Sequence, residues 1–157
     1  MRRKDREITD FQELVRIMEQ CDVCRIALNG GDFPYIVPLN FGLEVKDGQV
    51  FLYFHSAMKG TKLDLIARDS RAAFEMDCGR QLVLCQEDMN CTMTYASVMG
   101  RGTIEVLPEE EKIPALDILM RHYHAEDFPY DKNVAKVTAV LKMTVTDLTG
   151  KRRNPPG

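Results

Sequence analysis

The sequence predicts a mainly β fold, in which about six antiparallel strands form a closed or partly split barrel with helices at its periphery. Residues 35–45 alternate strictly between apolar and other residues, which is the period of a half-buried strand. Turns containing glycine at 30–32 and 46–48 join the early strands directly. A doubly wound parallel sheet would need a helix after each strand, so these turns favour the antiparallel barrel.

Length and charge indicate one ordinary globular domain over residues 1–157. Apolar residues make up 45% and charged residues 29%, which excludes a disordered composition. The net charge of −3 gives no electrostatic basis for binding nucleic acid or an anionic membrane. Basic residues gather at 2–4 and 151–153, and we interpret both groups as solvated, the second within a short basic tail, 151–157.

Cysteine use and hydropathy predict a cytoplasmic protein. No apolar run follows the charged N-terminal residues, and no stretch approaches the roughly 18 apolar residues that a membrane helix needs. Five cysteines, an odd number without an export signal, are typical of free thiols in a reducing compartment.

The first half of the chain predicts one helix and three strands. Either Thr9 or Asp10 can cap the helix, whose apolar stripe comprises Phe11, Leu14, Val15 and Met18. The strands lie at 23–29, 35–45 and 50–55. Since Pro38 cannot donate a ladder hydrogen bond, it lies at a sheet edge or a bulge and leaves neighbouring backbone groups free for a ligand.

The second half predicts helices at 58–67 and from Pro108 onward, and strands at 71–78, about 95–107 and 137–148. Three glutamates after Pro108 are typical of a first helical turn. Gly100 and Gly102 suit a bend or the close approach of another group. Residues 79–91 give no clear pattern.

Residues 54–62, at the end of a strand and the start of a helix, are the most informative for chemistry. Free amides at a helix N-terminus, with the Thr61 hydroxyl and the Lys62 ammonium, would form a phosphate cradle. The alternative is a capped helix with a solvated lysine, and local physics does not separate the two. A lone His55 at a strand end is more often structural than catalytic.

Other candidate motifs favour structural roles. Cys21 and Cys24 have the spacing of half a zinc site, but no second pair follows, and Cys24 alternates with core positions. His122 and His124 flank Tyr123 on a helix, so their side chains diverge. Patterns typical of zinc proteases, serine hydrolases and dinucleotide-binding folds do not occur.

Several ordered segments resemble the pyridoxamine 5′-phosphate oxidase-like split-barrel flavoproteins, specifically their nitroimidazole-resistance branch. The segments span nearly the whole chain: 1–7, Cys24-Arg25-Ile26-Ala27-Leu28, Tyr35-Ile36-Val37-Pro38-Leu39-Asn40-Phe41-Gly42, 52–57, Gly60-Thr61-Lys62-Leu63, 95–100 and Leu148-Thr149-Gly150-Lys151. The resemblance implies a homodimer that holds two FMN molecules at its subunit interface.

The resemblance also implies roles for particular residues. The strand Val37, Pro38, Leu39, Asn40 and Phe41 would lie along the isoalloxazine and contact it largely through backbone groups. Tyr53, His55 and Ser56 would line the ribityl chain and the phosphate, while Thr61 and Lys62 grip the phosphate. Tyr95 and Ser97 would approach from the partner subunit. Relatives often carry an aromatic and a basic residue before the position of Ser97, whereas this chain has Thr92, Thr94 and Ala96 in that segment, which would alter the substrate side of the flavin.

The resulting expectation is an FMN-dependent oxidoreductase that takes electrons from NAD(P)H and passes them to a small acceptor, with a nitroaromatic or nitroimidazole suggested by the family. His55 is the candidate proton donor. The alternatives are a non-catalytic flavin- or haem-binding module with His55 as axial ligand, a pyridoxamine 5′-phosphate oxidase, and a structural protein without a cofactor.

Overall fold

The computed structural model describes residues 3–87 and 89–155. Its three α-helices are α1 (Phe11–Glu19), α2 (Thr61–Arg68) and α3 (Glu109–His122), and 3₁₀ helices span Lys4–Arg6 and Lys132–Val137. The strands are β1 (Glu7–Ile8), β2 (Cys24–Leu28), β3 (Tyr35–Leu39), β4 (Gly42–Lys46), β5 (Gln49–Ala57), β6 (Arg71–Cys85), β7 (Asn90–Val106) and β8 (Thr138–Arg153). The mainly β, antiparallel class is confirmed, with eight strands instead of six.

All strands belong to one antiparallel sheet in the order β3-β2-β6-β7-β8-β5-β4, and β1 pairs with β8. Its two outer strands, β3 and β4, are separated in the chain by residues 40–41 alone. The sheet therefore curls until its two edges lie side by side without pairing. This is a barrel with one seam, as the sequence predicts.

The barrel interior is filled by one hydrophobic cluster to which nearly every strand contributes. Its fully buried large side chains include Ile26, Phe41, Leu52, Phe54, Met76, Val98, Ile104 and Met143. Cys24 is also fully buried in this cluster, in agreement with its predicted core role. The apolar sides of α1 and α2 add Leu14, Ile17, Met18, Leu65 and Ile66 to the same core. Asp10 caps α1 by accepting from the Glu13 amide at 2.8 Å.

Helix α3 packs on the outward side of β4 and β5, where a smaller cluster includes Tyr53, Leu116 and Val140. Gly42 permits this contact, because a Cβ there would lie 2.7 Å from the Leu119 amide nitrogen. The outward sides of β2, β3, β6 and β7 receive no comparable cover from the described helices. None of the helices in residues 3–87 and 89–155 is long and apolar enough to cross a membrane.

Two expectations about element boundaries were wrong. The predicted strand 35–45 is two strands that pair with different neighbours, because the chain crosses the seam at residues 40–41. Residues 79–91, for which the sequence predicted no element, extend β6 to Cys85 and begin β7 at Asn90, beyond a bulge between Cys78 and Gln81. Asp88 lies outside the described residues.

The second wrong expectation concerns the basic tail 151–157. Lys151, Arg152 and Arg153 are half-buried and pair with β7, so they complete β8 and are not a solvated tail. Period-two patterning did not reveal this extension, because charged side chains occupy three successive positions there. Pro156 and Gly157, like Met1 and Arg2 at the other end, lie outside the described residues.

Candidate functional site

The predicted flavin-contacting strand forms one side of the seam. Val37 and Leu39 pack against the core, whereas Pro38 is exposed on β3, an outermost strand of the sheet. The prediction that Pro38 lies at a sheet edge is therefore confirmed. Because β3 pairs only with β2, its other edge carries backbone groups without a strand partner.

Residues 40–41 are held by Tyr123, which follows α3. The Tyr123 hydroxyl accepts from the Phe41 amide and from Asn40 Nδ2, each at 3.1 Å, and donates to the Asp22 carbonyl at 2.7 Å. The Phe41 ring is fully buried and lies 4.2 Å from the His122 ring, centroid to centroid. The Phe41 amide is therefore already hydrogen-bonded within the chain, and β3 is the accessible part of residues 37–41.

Tyr53 and His55 share the side of β5 that faces α3. Tyr53 is buried, and its hydroxyl donates to Glu44 Oε2 at 2.7 Å. Burial, reinforced by that carboxylate, raises the pKa of Tyr53 far above its usual range. His55 is exposed and borders a largely apolar cavity of about 160 Å³, together with Leu116, Leu119, Met120, Tyr130, Val134 and Thr138. Since Gly42 pairs with Tyr53, His55 lies near the seam.

The start of α2 has the features of an anion site. Gly60, at φ 141°, precedes the helix, and no side chain caps it. The Leu63 and Asp64 amides bond to the Gly60 carbonyl, which leaves the Thr61 and Lys62 amides as the free donors of the first turn. Lys62 is half-buried and has no ion pair within the described chain, and its burial lowers its pKa. Ser56, just before this turn, donates to the Ala57 carbonyl at 2.9 Å.

Tyr95 and Ser97 are not brought to the seam of their own chain. Tyr95 pairs with Arg153 on β8, whereas His55 pairs with Val140 on the same strand. Those two partners are thirteen positions apart in β8, which corresponds to up to about 40 Å of extended strand. If all predicted site residues contact one ligand, Tyr95 and Ser97 must come from a second copy.

A cationic cluster of Arg6, Lys151 and Arg153 surrounds Tyr95, and sequence reasoning missed it. The Tyr95 hydroxyl interacts with Lys151 and Arg6, and Lys151 Nζ lies 5.8 Å from the Tyr95 ring centroid. Burial acts to raise the pKa of Tyr95, but hydrogen bonds from Lys151 and Arg6 and their charges outweigh it and lower the pKa. The available signal was the basic residues near both ends of the chain, which only the β1–β8 pairing brings together.

An open sheet face lies between the seam and this cluster. We use this name for the outward side of β2, β3, β6 and β7, which includes Ala27, Ile36, Pro38, Ala73 and Met99. Ile36 is 64% exposed and Met99 45%. The face continues into a groove of about 540 Å³ bordered by Ala27, Ala73, Arg71, Arg101, Gly102 and Asp147. Within the described residues, no three His, Cys, Asp or Glu side chains are grouped to hold a metal.

These features define a split-barrel protein whose candidate site joins the seam to an uncovered sheet face. Comparison with known families agrees, because residues 10–152 match the family described as pyridoxamine 5′-phosphate oxidase. The chain belongs to the pyridoxamine 5′-phosphate oxidase family. No curated protein sequence matches it significantly.

The solved structures that are similar to this chain include the following three. A proposed 5-nitroimidazole antibiotic resistance protein from Bacteroides thetaiotaomicron is 34% identical at a TM-score of 0.80, over 93% of this chain and 86% of that one. The flavocytochrome Anf3 from Azotobacter vinelandii is 17% identical at 0.80, over 99% and 73%. An FAD- and haem-binding protein from Mycobacterium smegmatis is 19% identical at 0.81, over 96% and 74%. The latter two share the fold.

Proposed function

We propose that this protein binds FMN at the interface of a homodimer and acts as an FMN-dependent oxidoreductase. The observation that carries the proposal is the uncapped start of α2, where the half-buried Lys62 has no ion pair in the described chain. A buried cation without a partner is costly, and an anionic phosphate would supply the missing charge. The free Thr61 and Lys62 amides add donors in the orientation that helix N-termini offer to phosphate.

The rest of the flavin would extend from this cradle to the seam. In the sequence, His55 and Ser56 lie at the end of β5, after β3 and before α2. The free edge of β3 would offer backbone groups to a flat heterocycle. Pro38 presents no amide at that edge, so its neighbours set the hydrogen-bonding pattern. Tyr53 would act indirectly, since its hydroxyl is engaged by Glu44.

A second copy of the chain would complete the site. Tyr95 and Ser97 lie at the far end of β8 from His55, and the open sheet face between them carries exposed Ile36 and Met99. Apposing two such faces would cover both apolar side chains and bring each Tyr95 toward the other chain's seam. This arrangement agrees with the partner contribution that the family resemblance implies.

When bound, FMN would supply two-electron transfer from NAD(P)H to a small acceptor. The protein would orient the ring on β3 and exclude water with the apolar residues around the cavity beside His55. A ring nitrogen of His55 would hold the proton that accompanies reduction of the acceptor. The 34% identical nitroimidazole-resistance relative supports a nitroaromatic acceptor, and five free thiols support a reducing, cytoplasmic setting.

The proposal is tested by titrating purified wild type, Lys62→Ala and Lys46→Ala with FMN and with riboflavin, following visible absorbance. We expect wild type to bind FMN more tightly than riboflavin. Lys62→Ala should lose at least tenfold in FMN affinity with little change for riboflavin. Lys46, exposed at the end of β4, serves as the control and should leave both affinities unchanged.

Absence of FMN binding by wild type would overturn the proposal. Reduction of bound flavin by NADPH or NADH, followed by reoxidation with a nitroimidazole, then tests turnover and acceptor. His55→Gln should retain FMN and reduce the acceptor at least tenfold more slowly.

Haem binding is the second candidate, because His55 is exposed beside a largely apolar cavity and two similar structures are of haem-containing proteins. A neutral imidazole at an apolar pocket is a suitable axial ligand. A Soret band after haem addition that disappears in His55→Gln would favour this function. A flavin spectrum alone would exclude haem as the resident cofactor.

A further inference from the structure

The cationic cluster is built from both ends of the described chain on one side of the sheet. Directly paired residues on neighbouring strands project to the same face. Tyr95 pairs with Arg153, and Ser97 pairs with Lys151, so these four side chains share the outward side of β7 and β8. Arg6 joins them from the 3₁₀ helix before β1, where it interacts with the Tyr95 hydroxyl.

Of the described carboxylates, Asp5 alone forms an ion pair with this cluster, and it shares its charge with Arg3. Asp5 is held by Arg3 through two hydrogen bonds, at 2.7 and 2.6 Å, and approaches Arg6 Nε only to 3.9 Å. Glu7 pairs with Lys151 across the strands but forms no ion pair with it in the described structure. Lys151 and Arg153 likewise have no ion pair within residues 3–87 and 89–155. By contrast, Arg152 projects to the other side and pairs with Glu13 of α1.

Two guanidinium groups of the cluster also have a donor atom that no acceptor satisfies. The Nε atoms of Arg6 and Arg153 are buried and have no hydrogen-bond partner in the described chain. Buried donors are normally satisfied, and three neighbouring cations repel one another. The Tyr95 hydroxyl supplies a single oxygen to this group. An anion that offers several oxygens would satisfy the remaining donors.

We infer that the cationic cluster is a phosphate-binding site, which recognises a phosphate ester at the edge of the partner subunit's flavin site. A phosphate dianion carries the charge and the multiple acceptors that the three cations require. The placement rests on the proposed function, in which Tyr95 reaches the other chain's seam. The phosphate is either that of the flavin, which the cluster would then share with the start of the partner subunit's α2, or that of the nicotinamide donor, two sources with the same chemistry.

The first experiment measures phosphate binding without any flavin. Wild type, Arg153→Gln, Arg6→Gln and Arg152→Gln are heated with increasing inorganic phosphate, and with sodium chloride at matched ionic strength. We expect phosphate to raise the Tm of wild type and Arg152→Gln. The rise should be lost in Arg153→Gln and Arg6→Gln, each of which should keep the wild-type circular dichroism spectrum.

The second experiment identifies the source of the phosphate with two measurements on each variant. The first is the affinity for FMN and for riboflavin. The second is the concentration of NADPH or NADH that gives half-maximal reduction of the bound flavin. If the flavin phosphate is bound, Arg153→Gln loses at least tenfold in FMN affinity but not in riboflavin affinity. If the donor phosphate is bound, FMN affinity is unchanged and the half-maximal donor concentration rises at least tenfold. Arg152→Gln should change neither quantity.

Failure of the phosphate site and failure of the proposed function would give different results. No phosphate-specific stabilisation of wild type, or equal losses in Arg152→Gln and Arg153→Gln, would overturn the phosphate site, since either result leaves only nonspecific charge. Phosphate stabilisation that depends on Arg153 in a protein that binds no flavin would retain the site and refute the proposed function.

Discussion

The Tyr123 hydroxyl connects three segments that are distant in the chain. It accepts from the Phe41 amide and the Asn40 side chain and donates to the Asp22 carbonyl, so one phenol holds the crossing from β3 to β4 against the loop before β2. A residue outside every recognised motif therefore fixes the end of the strand proposed to face the flavin.

We predict that Tyr123→Phe lowers the free energy of unfolding by about 1–3 kcal/mol, because the Phe41 amide loses its acceptor and the Asp22 carbonyl keeps only the Asn40 side chain as a donor. Urea unfolding measures the change. Tyr35→Phe is the matched control, since the Tyr35 hydroxyl has no hydrogen bond within the described residues, and should change stability by less than about 0.5 kcal/mol. Equal effects of the two variants would contradict the role of Tyr123.

A second residue-scale prediction concerns alkaline pH. Because the pKa of Tyr53 is raised in the folded state, its neutral phenol stabilises folding, and this contribution is lost as pH rises above about 10, where unfolded tyrosine ionises. Between pH 10 and 11 wild type should lose up to about 1.4 kcal/mol more than Tyr53→Phe in urea unfolding. Tyr35→Phe should follow wild type. Parallel pH profiles for wild type and Tyr53→Phe would refute the prediction.

Sequence reasoning at the residue scale succeeded where a single strand sets the environment. Pro38 at the edge and Cys24 in the core follow from period two and missing donors. The cationic cluster could not be predicted in this way, because Arg6 and Lys151 meet only through the pairing of β1 with β8. Nothing local in either segment encodes that pairing.

At the scale of elements, the close approach of α3 to β4 positions the cavity beside His55. Gly42 allows the contact, since a Cβ there would meet Leu119 backbone atoms at 2.7 and 2.8 Å. Backbone of a packed helix cannot yield as a flexible side chain can. The apolar alternation of residues 35–45 predicted extended chain on both sides of Gly42. It did not predict the contact between Gly42 and α3, because that helix lies about 70 residues later in the chain.

We expect Gly42→Ala to destabilise the protein by about 1–3 kcal/mol through overpacking against α3. Gly48→Asn in the same hairpin is the control, because Gly48 has φ 78° with open space around it and asparagine tolerates that conformation. Thermal and urea unfolding should separate the two variants. Wild-type stability in Gly42→Ala would show that α3 moves freely over β4.

At the scale of the whole molecule, the proposed dimer would bury the open sheet face. We predict that Ile36→Glu yields a monomer in sedimentation velocity and abolishes FMN binding, because a charge would enter the proposed contact between two copies. Phe128→Glu, at a similarly exposed position beyond α3, should remain dimeric and bind FMN. A dimer that persists in Ile36→Glu would place the subunit contact elsewhere.

The central position of β8 has a further consequence for how the chain reaches its folded state. Without β8 the sheet falls into two pieces, β3-β2-β6-β7 and β5-β4, which this strand alone connects. On the ribosome, both pieces must wait with unpaired edges and exposed apolar faces until residues 138–153 emerge. Protection of the nascent chain by chaperones is therefore most needed in the interval between synthesis of β5 and release of β8.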